Sequence, residues 1–129
     1  KSSYMYKKRN GKLYAGPVWD FDYGTFRSNA SGILGTSAIY YRYMFRYPEF
    51  RTAVKERWAE VKDILAGIDD YILEQAGLIS ASSDVNIAMW PITQLVNGDE
   101  KMTFAEAVES MRSVLKNRMR IVEDFILAL

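Results

Sequence analysis

The sequence predicts an α+β fold: an N-terminal β-hairpin followed by a mainly helical part of about four helices. The first observation is an Asn-Gly pair, Asn10-Gly11, between two tyrosine-containing segments with weak apolar alternation, the pattern of a hairpin turn. The second is that, from residue 37 onward, apolar residues recur at spacings of three and four, the helical period. The third is size: 129 residues, 49% of them apolar, suffice for one domain that buries a core without disulfides or metal staples. Residues 1–23 are assigned to the hairpin and the segment it delivers, 24–36 to a loop, and 37–129 to the helices.

The hairpin is expected to run from Tyr4 to Lys8, turn through Arg9, Asn10, Gly11 and Lys12, and return from Leu13 to Trp19 with an interruption at Gly16-Pro17. Residues 24–36 are rich in Gly, Ser, Asn and Thr and read as a long irregular loop, a length at which loops are often functional. A short aromatic helix is expected over about Ser37 to Arg46. Pro48 suits the first turn of the next helix, where Phe50, Val54, Trp58, Val61 and Leu65 form one apolar stripe that Gly67 ends. A third helix begins near Asp69, with Ile68, Ile72, Ala76, Ile79 and Ser83 on one face, and stops before Trp90-Pro91 because the residue before proline disfavours the α region. Thr103 and Glu106 have the spacing of a capping box. The last helix then carries Phe104, Val108, Met111, Leu115, Val122, Phe125 and Leu129 on one face, interrupted by Arg118.

Composition excludes several chemistries. The chain has no cysteine and no histidine, so thiol nucleophiles, thiolate zinc sites, histidine bases and Ser-His-Asp triads are impossible within it. Chemistry must run on carboxylates, hydroxyls, Lys and Arg. A net charge of +1 gives no global bias toward nucleic acid. No run is long and apolar enough to span a bilayer.

The stretch GPVWDFDYGTF, residues 16–26, stands out. Asp20 and Asp22 lie two apart in an apolar setting just past Trp19. In an extended segment both carboxylates would point to one side and Phe21 to the other, into the core with Val18 and Trp19. Two close carboxylates repel unless a cation or basic group lies between them. Three readings stay open on the residues alone: a turn in which one aspartate caps backbone amides, a metal site, and a proton-sharing pair. An EF-hand loop counted from Asp20 would put Gly24 fifth and Ser31 at the twelfth place, where glutamate is needed. A D-x-D-x-T phosphatase motif needs threonine fifth, whereas Thr25 is sixth. Glycosidase carboxylates stand about 5–10 Å apart across a sugar, which neighbours on one strand rarely achieve. A magnesium-binding acid at the end of a hairpin, facing nucleotide phosphates, fits the order of hairpin, acid, glycine-containing loop and helices.

KSSYMYKKRNGKLYAGPVWDFDYGTF resembles the closing segment of the CotH kinase family, the spore-coat-protein-H group. That family has a Lys-Asn or Lys-Ser pair, a tyrosine-rich strand, a Gly-Lys turn and Pro-x-Trp-Asp-x-Asp. RYPEFRTAVKERWAEV (46–61), VNIAMWP (85–91) and FAEAVESMRSVLKNRMRIVEDF (104–125) are similar to its later helices, so the resemblance covers nearly the whole chain. It implies the C-terminal part of an atypical protein-kinase-like fold that moves phosphate from ATP to a protein substrate through Mg2+ or Mn2+. Asp20 matches the family's metal-binding aspartate and Asp22 the second acid of the motif, both catalytic by resemblance. Lys1 and Ser2 match the end of the catalytic-loop segment and would contact the cofactor, with serine where many members have asparagine.

The family's nucleotide-binding lysine, glycine-rich loop and catalytic aspartate find no match here. The chain therefore reads as the truncated end of a longer bacterial domain, inactive alone and with weak metal affinity. Its partners would be a missing N-terminal lobe and a protein substrate, and bare apolar surface leaves self-association open. By resemblance the parent would belong to the spore coat, the cell surface or the secreted fraction. The alternative function is a non-catalytic structural or binding module of a bacterial surface, spore-coat or carbohydrate-associated protein.

Other residues have plainer expected roles. Tyr40, Tyr41, Tyr43, Phe45 and Tyr47 read as core or interface rather than a sugar platform. Lys7, Lys8, Arg9 and Lys12 read as a solvated hairpin tip. Trp58 is expected in the core with its N–H in need of a partner. Arg57 is expected to pair with an acid and Arg118 across the bundle. Ser28, Asn29 and Ser31 are loop residues within possible reach of a substrate.

Overall fold

The computed structural model describes residues 4–26, 32–33, 36–91 and 101–129. Strands β1 (Met5–Lys7) and β2 (Leu13–Ala15) are followed by helices α1 (Asp22–Thr25), α2 (Ile39–Met44), α3 (Pro48–Ala66), α4 (Ile68–Met89) and α5 (Phe104–Leu127). The α+β class and the order of hairpin then helices agree with the sequence. No helix among the described residues is long and apolar enough to cross a membrane.

The hairpin is antiparallel, with Met5 opposite Ala15, Tyr6 opposite Tyr14 and Lys7 opposite Leu13. Its turn closes where the Gly11 N–H donates to the Lys8 carbonyl at 2.9 Å. Asn10 takes the left-handed conformation there, φ 59°, which asparagine tolerates better than most residues. The Tyr6 and Tyr14 rings stack across the strands with centroids 5.2 Å apart, a cross-strand pair of the kind that stabilises two-stranded ribbons. The last rung is Gly16 N–H to the Tyr4 carbonyl, 2.8 Å. β2 stops at Ala15, short of the expected Trp19, for two reasons. Gly16 adopts φ 129°, open only to glycine, and Pro17 has no N–H for the ladder.

The helices pack around α5. α3 and α4 each lie along it and α1 touches it. Val114, Leu115 and Ile126 of α5 are the buried apolar residues among those described. Ile126 falls in line with Val108 at one edge of the expected stripe and Val114 just beyond the other, since both α3 and α4 pack on α5 and widen its buried arc. Phe45, just past α2, packs edge-on against Phe50 at 5.0 Å and Phe125 at 5.5 Å. The Arg51 guanidinium donates to the Phe45 carbonyl at 2.8 Å and holds that corner to α3.

Pro48 opens α3 as expected. Gly67 ends α3 and at once begins α4, with helical φ −63°, so the two helices meet in a bend at this residue rather than across a loop. The first turn of α4 is tied to α5 by charge. Arg112 donates from Nε and Nη2 to the two oxygens of Asp69 at 2.8 and 3.0 Å, and Lys116 Nζ lies 3.1 Å from the same carboxylate. The hydrogen bond from Arg112 is the main cause that holds the Asp69 carboxyl below its ordinary range. No sequence pattern announces this pair, because 43 positions separate its members.

The capping box forms as predicted. Thr103 Oγ1 accepts from the Glu106 N–H at 3.2 Å, and the Glu106 carboxylate accepts from the Thr103 N–H at 2.7 Å. The latter bond is the main cause of the lowered Glu106 pKa. Thr103→Ala should lower stability by about 1 kcal/mol through loss of the cap. Denaturant unfolding measures this, and an unchanged midpoint would mean that the cap contributes nothing to the folded state.

Candidate functional site

The chain leaves the hairpin at Gly16-Pro17, runs through Val18 and Trp19, and turns sharply at Asp20, where φ is 59°. For an L-residue with a side chain this left-handed conformation is uncommon, and aspartate is among the few that adopt it. The turn sends the backbone straight into α1, whose first residue is Asp22. Thr25 closes this single helical turn by donating from Oγ1 to the Phe21 carbonyl at 2.8 Å.

This geometry corrects the extended arrangement expected from the sequence. Asp20 is left-handed and Asp22 helical, so the strand rule for side chains two apart does not apply. Phe21 does not pack inward either: it is 46% exposed, Trp19 63% and Val18 84%. The apolar residues around the two acids lie on the surface, because β2 ends at Ala15 and no described helix covers the connection.

Asp20 and Asp22 are both exposed. Neither carboxylate makes a hydrogen bond or ion pair with any described residue, and the helix that starts beside them has no side-chain cap. Asp20 and Asp22 are thus two solvent-reachable anions close in sequence at a strained corner. Among the described residues no group of three or more acidic or other metal-ligating side chains converges. Lys1 and Ser2 lie outside the described residues, as do Ser28, Asn29 and Ser31.

The remaining candidates take structural positions. Arg118 donates from Nη1 to the Gly32 carbonyl at 2.7 Å, so α5 holds the segment that follows the two acids. Arg57 pairs with Glu60 at 2.7 Å on the exposed side of α3. Tyr40, Tyr43 and Tyr47 are exposed while Phe45 packs, and Arg42 and Arg46 lie over the Tyr43 ring at 5.2 and 4.7 Å. Lys7, Lys8, Arg9 and Lys12 are exposed at the hairpin tip. Trp58 Nε1 is buried without a partner. It borders a cavity of about 370 Å³ between α3 and α5 that Lys62, Lys116 and Arg120 also line. A second cavity, about 540 Å³, lies between the end of α4 and the start of α5. Asp20 and Asp22 line neither.

No family model, curated protein or solved structure matches the chain.

The left-handed corner has a direct test. Asp20→Val should destabilise the chain by about 1–2 kcal/mol, since a β-branched side chain clashes in this conformation. Asp20→Asn and Asp20→Gly should stay within about 0.5 kcal/mol of the parent. Equal stabilities for all three in chemical denaturation would show that the corner is not left-handed in solution.

Proposed function

We propose that this chain supplies the metal-binding end of a phosphotransferase site, with Asp20 and Asp22 as carboxylate ligands of Mg2+ or Mn2+ and ATP as donor to a protein substrate. The motif Pro17-x-Trp19-Asp20-x-Asp22, similar to that of CotH kinases, suggests the reaction. One observation supports it: Asp20 stands exposed at a left-handed corner with its carboxylate unpartnered among the described residues. An aspartate retained to cap a turn would accept from backbone amides, and this one does not. An exposed carboxylate with no protein partner among the described residues is open to a cation.

Two exposed carboxylates are enough in number for the ion. Magnesium takes one or two carboxylates from protein and fills the rest of its shell with water and phosphate oxygens, so two aspartates suffice where a larger cluster does not form. When bound, the metal neutralises charge on the phosphates. The protein's part is to hold two anions at the mouth of the hairpin, with Asp20 fixed by its backbone and Asp22 by the first turn of α1. Arg118 holds Gly32, in the segment that follows α1, to α5. By the same resemblance Lys1 and Ser2 are the proposed cofactor-binding pair.

The second reading, a non-catalytic binding module, is favoured by the exposed Val18, Trp19 and Tyr14 beside the site. Activity separates the two. In the full-length parent, transfer from labelled ATP should fall by orders of magnitude with Asp20→Asn and substantially with Asp22→Asn. Asparagine keeps the shape and tolerates the left-handed backbone, so the loss would report charge. Parental activity in both variants would remove the metal role and leave the binding module.

A further inference from the structure

α4 carries two apolar faces. One, with Ile68, Ile72 and Ala76, lies on the side partly covered by the bundle. The other is formed by Tyr71, Leu78, Val85 and Met89, at spacings of seven, seven and four, which align on one side of a helix. Each of these four is more than half exposed. A run of exposed apolar residues on one helix face usually marks an interaction site, and this one is uncovered among the described residues. The chain as a whole exposes 10404 Å², about half as much again as the roughly 7,000 Å² expected for a folded monomer of this mass.

Charge says what covers it. α4 contains no lysine or arginine, while Asp70, Glu74 and Asp84 are exposed and make no ion pair among the described residues. The complementary surface is on the same chain. The hairpin tip presents Lys7, Lys8, Arg9 and Lys12, likewise exposed and without ion pairs among the described residues. Behind them stands the exposed Tyr6–Tyr14 stack, an apolar surface to set on Leu78 and Val85. An isolated two-stranded hairpin is marginal in water, and among the described residues this one makes no extensive contact with the helices of its own chain.

We propose that a second copy of this chain docks here, the basic, tyrosine-bearing hairpin of each protomer lying on the acidic, apolar outer face of its partner's α4. Two such contacts related by a twofold axis form a closed dimer. They cover two patches per protomer, in keeping with the excess surface and with the roughly 1,600 Å² or more of total area that stable interfaces bury. The proposal does not depend on Asp20 or Asp22 and can fail while the phosphotransferase reading stands.

Sedimentation velocity on the full chain tests it. The expected result is a monomer–dimer equilibrium that shifts toward monomer as salt is raised, since the pairing charges are at the surface. Lys8→Glu with Lys12→Glu, or Asp70→Lys with Glu74→Lys, should each raise the dissociation constant by about tenfold or more. The four changes together should restore association, because the charges are exchanged rather than removed. All six side chains at issue, Leu78 and Val85 included, are exposed, so the variants should keep the parental circular dichroism spectrum. Leu78→Lys should also favour monomer. A monomer at every concentration overturns the proposal. So does a dimer that withstands both double variants, or one that the fourfold exchange fails to restore.

Discussion

The apolar surface of α5 holds the fold together. α1, α3 and α4 all touch this helix, and Val114, Leu115 and Ile126 form the buried core. Its start is fixed by the reciprocal bonds of Thr103 and Glu106, and its middle by the grip of Arg112 and Lys116 on Asp69. Because Asp69 lies in the first turn of α4, that ion pair also sets where α4 begins relative to α5, just past the bend at Gly67. Arg118, a turn and a half further along α5, reaches the Gly32 carbonyl. The same helix therefore orders the bundle and restrains the chain that leaves the candidate site.

What was legible in the sequence follows from what is local. Pro48 at a helix start, Trp90 before Pro91 at a helix end, and the Thr103–Glu106 box depend on a few neighbouring residues, and all three form as read. The Asn10-Gly11 turn was legible for the same reason, although only Asn10 takes a positive φ. The long-range pairs were not legible. Arg112 meets Asp69 and Arg118 meets Gly32 only because the bundle brings them together. The widened buried arc of α5 likewise depends on two partner helices, which periodicity within one helix cannot reveal.

At the site, the sequence identified the two carboxylates but not their setting. Alternation suggested a strand through Trp19, yet Gly16 and Pro17 end it at Ala15, and everything beyond becomes a turn. This is why Phe21, expected inside, lies at the surface. The corner at Asp20 replaces the strand geometry with a more specific one: a left-handed residue and a helix-first residue, two positions apart, with both carboxylates exposed. Such a pair suits an ion that completes its shell with phosphate and water, and suits a fully proteinaceous metal cage poorly.

The proposed metal role is tested most directly by titrating the isotopically labelled chain with Mn2+ and following paramagnetic broadening of its amide signals. Broadening should centre on Trp19, Asp20, Phe21 and Asp22, saturate only at high metal concentration, and disappear in Asp20→Asn. Broadening centred instead on the acidic face of α4, or unchanged in that variant, would contradict it.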